Sequence, residues 1–385
     1  VSAPPRLFLI AGEPSGDQLG AALMATLRRK APEAKIAGVG GPLMEREGLA
    51  SLFPMSDIAV MGFLPVIARL ATLLRRIDET ARAAIAAKPD ALVLIDSPDF
   101  THRVARRVRA RAPDVPILDY VAPTVWAWRP GRAPAMRPHV DEVLALLPFE
   151  PEAYARLGGP PCVYVGHPLV ARLGDLRPSG PEEAARRADL ARPTLLVLPG
   201  SRRSVVARHL PLFGAALARL PQARSLSITV PTMPHLAELV TTASADWPSR
   251  PYVVVSEADK RAAFRAARAA LAASGTVTLE LALAGVPMVA AYVMPAVEAF
   301  VARRLVRTGD VLLPNLILGR RFVPERIQEA ATPERLAADL AAILADGEAR
   351  SAQIDGFGAL EARMREAGDD PAAAAADRVL ARVRT

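Results

Sequence analysis

Short apolar runs of four or five residues recur along the chain, separated by longer stretches in which apolar residues return every three or four positions. The first pattern is that of strands buried on both faces, the second that of amphipathic helices. Runs at 7–11, 36–39, 91–95, 117–121 and 143–147 predict strands in the first half of the chain. Runs at 194–198, 227–230, 252–255, 269–272 and 288–291 predict strands in the second. Helical spacing fills stretches between them, as at 16–30, 205–220 and 276–284. Strands alternating with helices predict an α/β chain of two doubly wound, Rossmann-like domains with parallel sheets.

The break falls in 166–193, which is rich in Pro, Gly and charge and holds no strand-like run. The expected domains are 1–170 and 171–350, with a helical tail, 351–385, that crosses back onto the first. In that tail Pro371 suits a first helical turn, with Asp369 or Asp370 as its cap.

Composition narrows the class. No segment reaches the roughly 18 uninterrupted apolar residues of a spanning helix. The start, VSAPPRLFLIAG, lacks a basic region, a long apolar stretch and a small-residue cleavage site, so no signal peptide is expected. A single cysteine, Cys162, excludes an internal disulfide and fits the reducing cytoplasm. The net charge of +8, carried mostly by arginine, favours nucleic acid, phospholipid head groups or phosphorylated substrates, although a biased genome also yields Arg- and Ala-rich chains. Aromatic residues are only 5% and are not interleaved with basic ones as base-stacking platforms need, which argues against nucleic acid.

Ligands of open parallel sheets bind beyond the carboxyl ends of the strands. Two such domains would turn those ends toward a central cleft, so residues just after strands matter most. "LIAGEPSGDQLGAAL" puts Glu13, Ser15 and Asp17 in a Gly-rich turn before the first helix, where amides can approach an anion or a sugar. It is neither a Walker loop nor a GxGxxG fingerprint. Ser15 or Asp17 can cap the helix, and Asp17 is read as a cap; Glu13 is not needed for capping, which leaves a substrate role open to it.

"PGSRRSVVARHLP" repeats the design in the second half, and Arg202 at the helix start is placed to bind phosphate where Arg203 is not. In "LAASGTVTLELALAGVPMV", Ser274, Gly275 and Thr276 form a turn before a helix whose start favours a diphosphate. Glu280 follows Thr276 by four residues, one position too far for a capping box but placed to accept hydrogen bonds from a ribose. "ALVLIDSPDF" ends a buried strand on Asp96. Asp99 is the better cap for the next helix, so Asp96 is either a second cap or a group with a chemical task.

The stretch 61–74 crowds Met61, Phe63, Val66, Ile67, Leu70 and Leu74 together, with Arg69, Arg75 and Arg76 near. Ordinary burial accounts for such a run; the other reading is a lipid-facing segment at a membrane surface. The five histidines show no HExxH or paired spacing, "DSPD" is not a DxD site, and no GxSxG elbow is present. His167 after "YVG" reads as a structural histidine before a ligand of the cleft.

The blocks AGEPSGD, GVGGPLM, MGFLPVI, IDSPDF, PTVWAWRPGR, LPFEPEAY, VGHPL, LPGSR, ASGTVTLE and LPNLI, in this order from residue 11 to 317, resemble the lipid-A-disaccharide synthase family. That family consists of inverting glycosyltransferases of the two-domain GT-B fold. The resemblance implies transfer of 2,3-diacylglucosamine from UDP-2,3-diacylglucosamine to 2,3-diacylglucosamine 1-phosphate, with a β-1,6 disaccharide 1-phosphate and UDP as products. No metal or cofactor is expected.

By the resemblance Asp96 is the base that takes the acceptor 6-hydroxyl proton, Glu280 holds the ribose, and Glu13, Ser15 and Asn315 line the active site. Arg202 and the amides of 274–276 meet the departing diphosphate, and the 61–74 stretch touches acyl chains or bilayer. The implied location is the cytoplasmic face of the inner membrane, on an anionic surface, as a peripheral protein; homo-oligomerisation is left open.

Three positions depart from the family pattern: Pro14 replaces an alanine, Val205 a glutamate and Thr101 an asparagine. The competing readings are another nucleotide-sugar transferase or epimerase of the same fold, a basic nucleic-acid-binding protein, and a lipid-surface scaffold.

Overall fold

The structure, a computed structural model, describes residues 3–59, 69–296, 298–300 and 311–383. Strand β1 (Arg6–Ala11) buries every residue from Leu7 onward, as a strand covered on both faces must. It lies between β2 (Lys35–Val39) and β3 (Ala91–Ile95). Beyond β3 follow β4 (Ile117–Tyr120), β5 (Glu142–Ala145) and β6 (Cys162–Tyr164), giving a parallel sheet of order β2-β1-β3-β4-β5-β6.

The second sheet contains β7 (Thr194–Leu198), β8 (Ser227–Pro231), β9 (Tyr252–Val254), β10 (Ala269–Ala273), β11 (Met288–Tyr292) and β12 (Glu325–Ile327). Its order is β12-β11-β10-β7-β8-β9, again parallel throughout. The chain is thus built of two Rossmann-like α/β domains, as the alternating pattern predicts. Strand β6, three half-buried apolar residues at a sheet edge, is the strand that precedes His167, whereas β12 is not legible in the sequence: it is Glu-Arg-Ile, with no apolar run.

Strand order locates the sites. The chain runs from β1 to β2 on one side, then returns to place β3 on the other, so the order reverses between β1 and β3. In the second sheet it reverses between β7 and β10. Crevices form at such switch points because successive connections leave in opposite directions. Register sharpens this: Ala11 pairs with Ile95, so the turns after β1 and β3 emerge side by side, and Ala272 pairs with Leu198 likewise.

The chain divides into Val1–Pro168 with Glu366–Thr385, and Leu169–Arg365. The region read as a break carries two short helices, Leu173–Leu176 and Pro181–Ala188. Arg187 in the second of these donates to the carbonyls of Phe264 at 2.7 Å and Ala284 at 2.9 Å, tying it to the second unit.

The crossing back comes later than 351. Helix Glu348–Met364 belongs to the second unit: Gln353 bonds the amide and carbonyl of Met288 at 2.8 and 3.0 Å, and Phe357 meets Phe322 edge-on at 5.7 Å. Helix Pro371–Val383 makes the return, with Asp370 Oδ1 accepting from the Ala373 amide at 3.0 Å. It buries Ala375, Ala376, Val379 and Leu380 in a core shared with Leu23, Met24 and Leu27 of helix Pro14–Lys30.

Candidate active site

At the switch point of the first sheet, two tight turns meet. A Cβ on Gly12 would lie 2.7 Å from the side chain of Ser97, and one on Gly16 would lie 2.9 Å from the carbonyl oxygen of Ile95. Neither position has room for a side chain, so the Gly-rich turn is what lets helix Pro14–Lys30 start against the end of β3. Asp96 and Ser97 both take left-handed backbone, with φ of 59° and 49°. Non-glycine residues adopt that conformation at a cost of order 1 kcal/mol or more each, and such costs collect at functional sites.

The kink is held from several sides. Ser15 Oγ donates to Asp96 Oδ2 at 2.7 Å and the Ser97 amide donates to Oδ1 at 2.8 Å. Thr101 Oγ1 donates to the Asp96 carbonyl at 3.1 Å, and Ser97 Oγ donates to Glu13 Oε1 at 3.1 Å. Glu13 and Ser15 from one motif and Asp96 from another thereby form one cluster, with Asp96 half-buried and open to solvent.

Two capping assignments are corrected. Asp17 does not cap its own helix; buried, it accepts from the amides of Gly41, Leu43 and Met44 at 2.9, 2.9 and 3.0 Å and so fixes the turn after β2. Asp99 caps nothing: Ser97 is the cap residue of helix Pro98–Arg111, and the Asp99 carboxylate pairs with Arg132 at 2.7 Å. Nor does Asp96 accept from any amide of that helix's first turn.

Behind this site lies a buried polar relay that sequence reasoning did not find. His102 Nε2 lies 3.0 Å from Asp119 Oδ2, and His102 Nδ1 lies 3.3 Å from His139 Nε2. Desolvation, with the nearby His102, pushes His139 down to about 4. Glu150, from "LPFEPEAY", anchors the "VWAWR" loop, accepting from Trp126 Nε1 at 3.1 Å and the Leu147 amide at 3.0 Å.

In the second unit a cavity of about 680 Å³ opens at the carboxyl ends of β7 to β11. Its wall includes Arg202, Ser274, Gly275, Thr276 and Glu280, which the strand-end argument selected, together with Gly200. Gly200 has φ of 114°, and a Cβ there would meet Val205 at 2.7 Å, so Val205 packs directly beneath the turn. The Arg202 guanidinium has no hydrogen-bond or ion-pair partner among the described residues. Ser274 turns its hydroxyl to Glu325 at 3.4 Å, and Glu325 also accepts from the amides of Val311 and Leu312.

Lys260, which the sequence reading missed, pairs with Glu280 at 2.9 Å. It follows the end of β9, so the rule that selects Arg202 would have found it. The hydroxyl of Thr232, also in the wall, is buried and has no hydrogen-bond partner among the described residues, which suits a hydrogen bond to a bound molecule.

Asn315 does not line this cavity. It is buried, and its amide is spent on the backbone: Nδ2 donates to the Val323 carbonyl and Oδ1 accepts from the amides of Phe322 and Val323. Of the residues expected to touch lipid, Leu70 and Leu74 are exposed at the start of helix Leu70–Ala87. Met61, Phe63, Val66 and Ile67 lie outside the described residues.

The architecture has relatives among solved structures. Acinetobacter baumannii MurG matches with a TM-score of 0.59 at 15% identity, covering 98% of this chain and 100% of that one. The UDP-GlcNAc 2-epimerase from Neisseria meningitidis bound to UDP-GlcNAc matches at 0.59 and 9% identity, covering 98% of each. CalG4, the calicheamicin glycosyltransferase, matches at 0.59 and 18%, covering 99% of this chain and 98% of its own. At such identities the likeness establishes the GT-B fold.

Sequence comparison goes further. The family model described as lipid-A-disaccharide synthetase matches residues 7–378. The lipid-A-disaccharide synthase of Nitrobacter hamburgensis is 58% identical over 377 residues, 97% of this chain and 95% of the relative. That of Bradyrhizobium diazoefficiens is 54% identical over 381 residues, 98% and 97% of the two chains. With agreement along nearly its whole length, the chain belongs to the lipid-A-disaccharide synthase family.

Proposed function

We propose that this glycosyltransferase moves 2,3-diacylglucosamine from UDP-2,3-diacylglucosamine to the 6-hydroxyl of 2,3-diacylglucosamine 1-phosphate. Family membership supports the reaction, and a neighbour of the same fold that is bound to UDP-GlcNAc supports a UDP-sugar donor. The observation that carries the chemistry is the Asp96 carboxylate, held in a left-handed kink at a strand end by Ser15 and Ser97.

Asp96 takes the proton of the acceptor 6-hydroxyl as that oxygen attacks the donor anomeric carbon from the face opposite the diphosphate. The carbon–oxygen bond to the diphosphate breaks, UDP departs, and the configuration inverts to the β-1,6 linkage. An aspartate serves as base here because the hydroxyl becomes acidic only as the new bond forms. In the second-unit cavity Arg202 and Lys260 meet the charge developing on the diphosphate, while Glu280 and the Thr232 hydroxyl bind the nucleoside.

The same reading makes the protein peripheral on the cytoplasmic face of the inner membrane. It is supported by Leu70 and Leu74, 47% and 40% exposed, and by the net charge of +8. No described helix is long and apolar enough to cross a membrane.

The test incubates purified protein in detergent with UDP-2,3-diacylglucosamine and radiolabelled 2,3-diacylglucosamine 1-phosphate, beside Asp96→Asn shown to fold and to bind UDP. Labelled disaccharide from wild type and a loss of at least about a hundredfold in the variant is the expected result. Equal rates would remove Asp96 from the chemistry, and no product from folded wild type would overturn the reaction.

A further inference from the structure

Helix Pro98–Arg111 treats its arginines in two ways. Arg107 pairs with Asp78 at 2.7 Å and Arg109 pairs with Asp141. Arg103 and Arg106 have no ion-pair or side-chain hydrogen-bond partner among the described residues, and both line a cavity of about 150 Å³. Asp99, His102, Arg103 and Arg106 stand at i, i+3, i+4 and i+7, one stripe of the helix, and all four lie in that wall. Arg132 lines it too, from helix Arg132–Met136.

The cavity is cationic. Three guanidiniums, Arg103, Arg106 and Arg132, stand against one carboxylate, Asp99, which leaves two positive charges. Asp99 does little to quench them, since its side chain is 83% exposed and occupied with Arg132. His102 sits in the wall as a fixed element, buried and braced by Asp119 and His139. The space admits several water molecules, enough for one tetrahedral anion with some hydration.

Its position relates it to Asp96. Pro98 and Pro123 follow β3 and β4, so the cavity opens at the carboxyl end of the first sheet, and Pro98 is two residues from Asp96. Long helical side chains lean toward the helix amino terminus, here the end that carries Asp96. In a hexopyranose C1 and C5 flank the ring oxygen, so a C6 hydroxyl and an anomeric phosphate lie within one sugar's length of each other.

We propose that this cavity binds a phosphomonoester, the anomeric phosphate of the acceptor, through Arg103 and Arg106 with Arg132 opposite. The proposal rests on the reaction given above and adds to it a site that orients the acceptor. Two guanidiniums match a dianionic phosphomonoester in charge and in donor geometry. Phosphodiester head groups of a bilayer share part of this chemistry, and the experiment separates the two.

The full chain and its R103Q/R106Q variant, with R103K/R106K beside it, are assayed on 2,3-diacylglucosamine with and without its 1-phosphate. The readout is the ratio of kcat/KM for the two acceptors, which cancels effects common to both. Loss of two charge-assisted contacts lowers that ratio by about 10- to 100-fold in the glutamine variant, and the lysine variant recovers part of it. Inorganic phosphate, as a competitor of the phosphorylated acceptor, weakens in parallel. Single variants carry the same comparison where the double one does not fold.

An unchanged ratio in R103Q/R106Q overturns the proposal. So does an unchanged ratio with lost binding to phosphatidylglycerol vesicles, which assigns these arginines to the membrane surface. Wild type that makes no disaccharide from either acceptor fails the reaction itself. In that case calorimetry with inorganic phosphate decides the cavity: arginine-dependent binding upholds a phosphomonoester site, and its absence overturns it.

Discussion

Ser15 Oγ donates to Asp96 Oδ2 at 2.7 Å across 81 residues of sequence. The register of β1 with β3 makes that contact available, because it brings the two turns out of the sheet at one level. The bond holds one carboxylate oxygen in a fixed direction while the group stays half-exposed. Ser15→Ala removes a hydrogen bond to an ionised group, worth about 1.5 kcal/mol or more. Disaccharide synthesis is expected to slow by about tenfold, with UDP affinity measured by calorimetry unaltered. A wild-type rate would mean that the proposed base needs no such support.

Lys260 and Glu280 form an ion pair inside the second-unit cavity at 2.9 Å, both side chains about a quarter exposed. Lys260→Ala removes a cation from beside the proposed diphosphate position and frees a carboxylate there. UDP binding should weaken by about tenfold or more, and steeper salt in wild type than in the variant should accompany it. Unchanged UDP affinity would confine Lys260 to orienting Glu280.

Glu142 is buried under the carboxy-terminal helix and pairs with Arg378 and, at 2.8 Å, with Arg382. The three groups are unequal: the carboxylate is 1% exposed, the guanidiniums 41% and 36%. Removing both arginines strands a charge in the interior, at a cost of about 3–5 kcal/mol. Glu142→Gln lets the arginines return to water and costs about 1–2 kcal/mol. Urea midpoints should fall further for R378A/R382A than for E142Q, with hydrogen-exchange protection of Pro371–Val383 lost first. The reverse order would show that the pair is not what holds the helix.

Burial pushes the Glu150 carboxyl up to about 7, against the opposing hydrogen bonds from the Leu147 amide and Trp126. Its folded value is thus above its unfolded one, so between about pH 4.5 and pH 7 the folded state holds the proton more tightly. Stability from this group is present below pH 4.5 and is lost as pH rises through 7, by about 3 kcal/mol in all. Urea unfolding at pH 5 and pH 8 should show that decline in wild type and its absence in Glu150→Gln. A parallel pH dependence in both proteins would place the cause elsewhere.

What the sequence determined by itself is the architecture and the neighbourhood of the candidate site. Parallel strands read as short apolar runs, so β1 to β5 and β7 to β11 announce themselves, the partly buried edge strands β2 and β9 included, and the strand-end rule then selects Glu13, Ser15, Asp96, Arg202 and Glu280. The motif series that resembles lipid-A-disaccharide synthases needed no coordinates either.

Only the tertiary structure decided where polar groups found partners, because a partner's distance in sequence says nothing of its distance in space. Asp17, legible as a local cap, binds amides 24 to 27 residues away. Asn315 turns inward to the 322–323 backbone, Lys260 meets Glu280, and Glu142 waits for arginines 236 and 240 residues later. The short edge strand β12 forms for the same reason, supported by β11 and not by apolar content of its own.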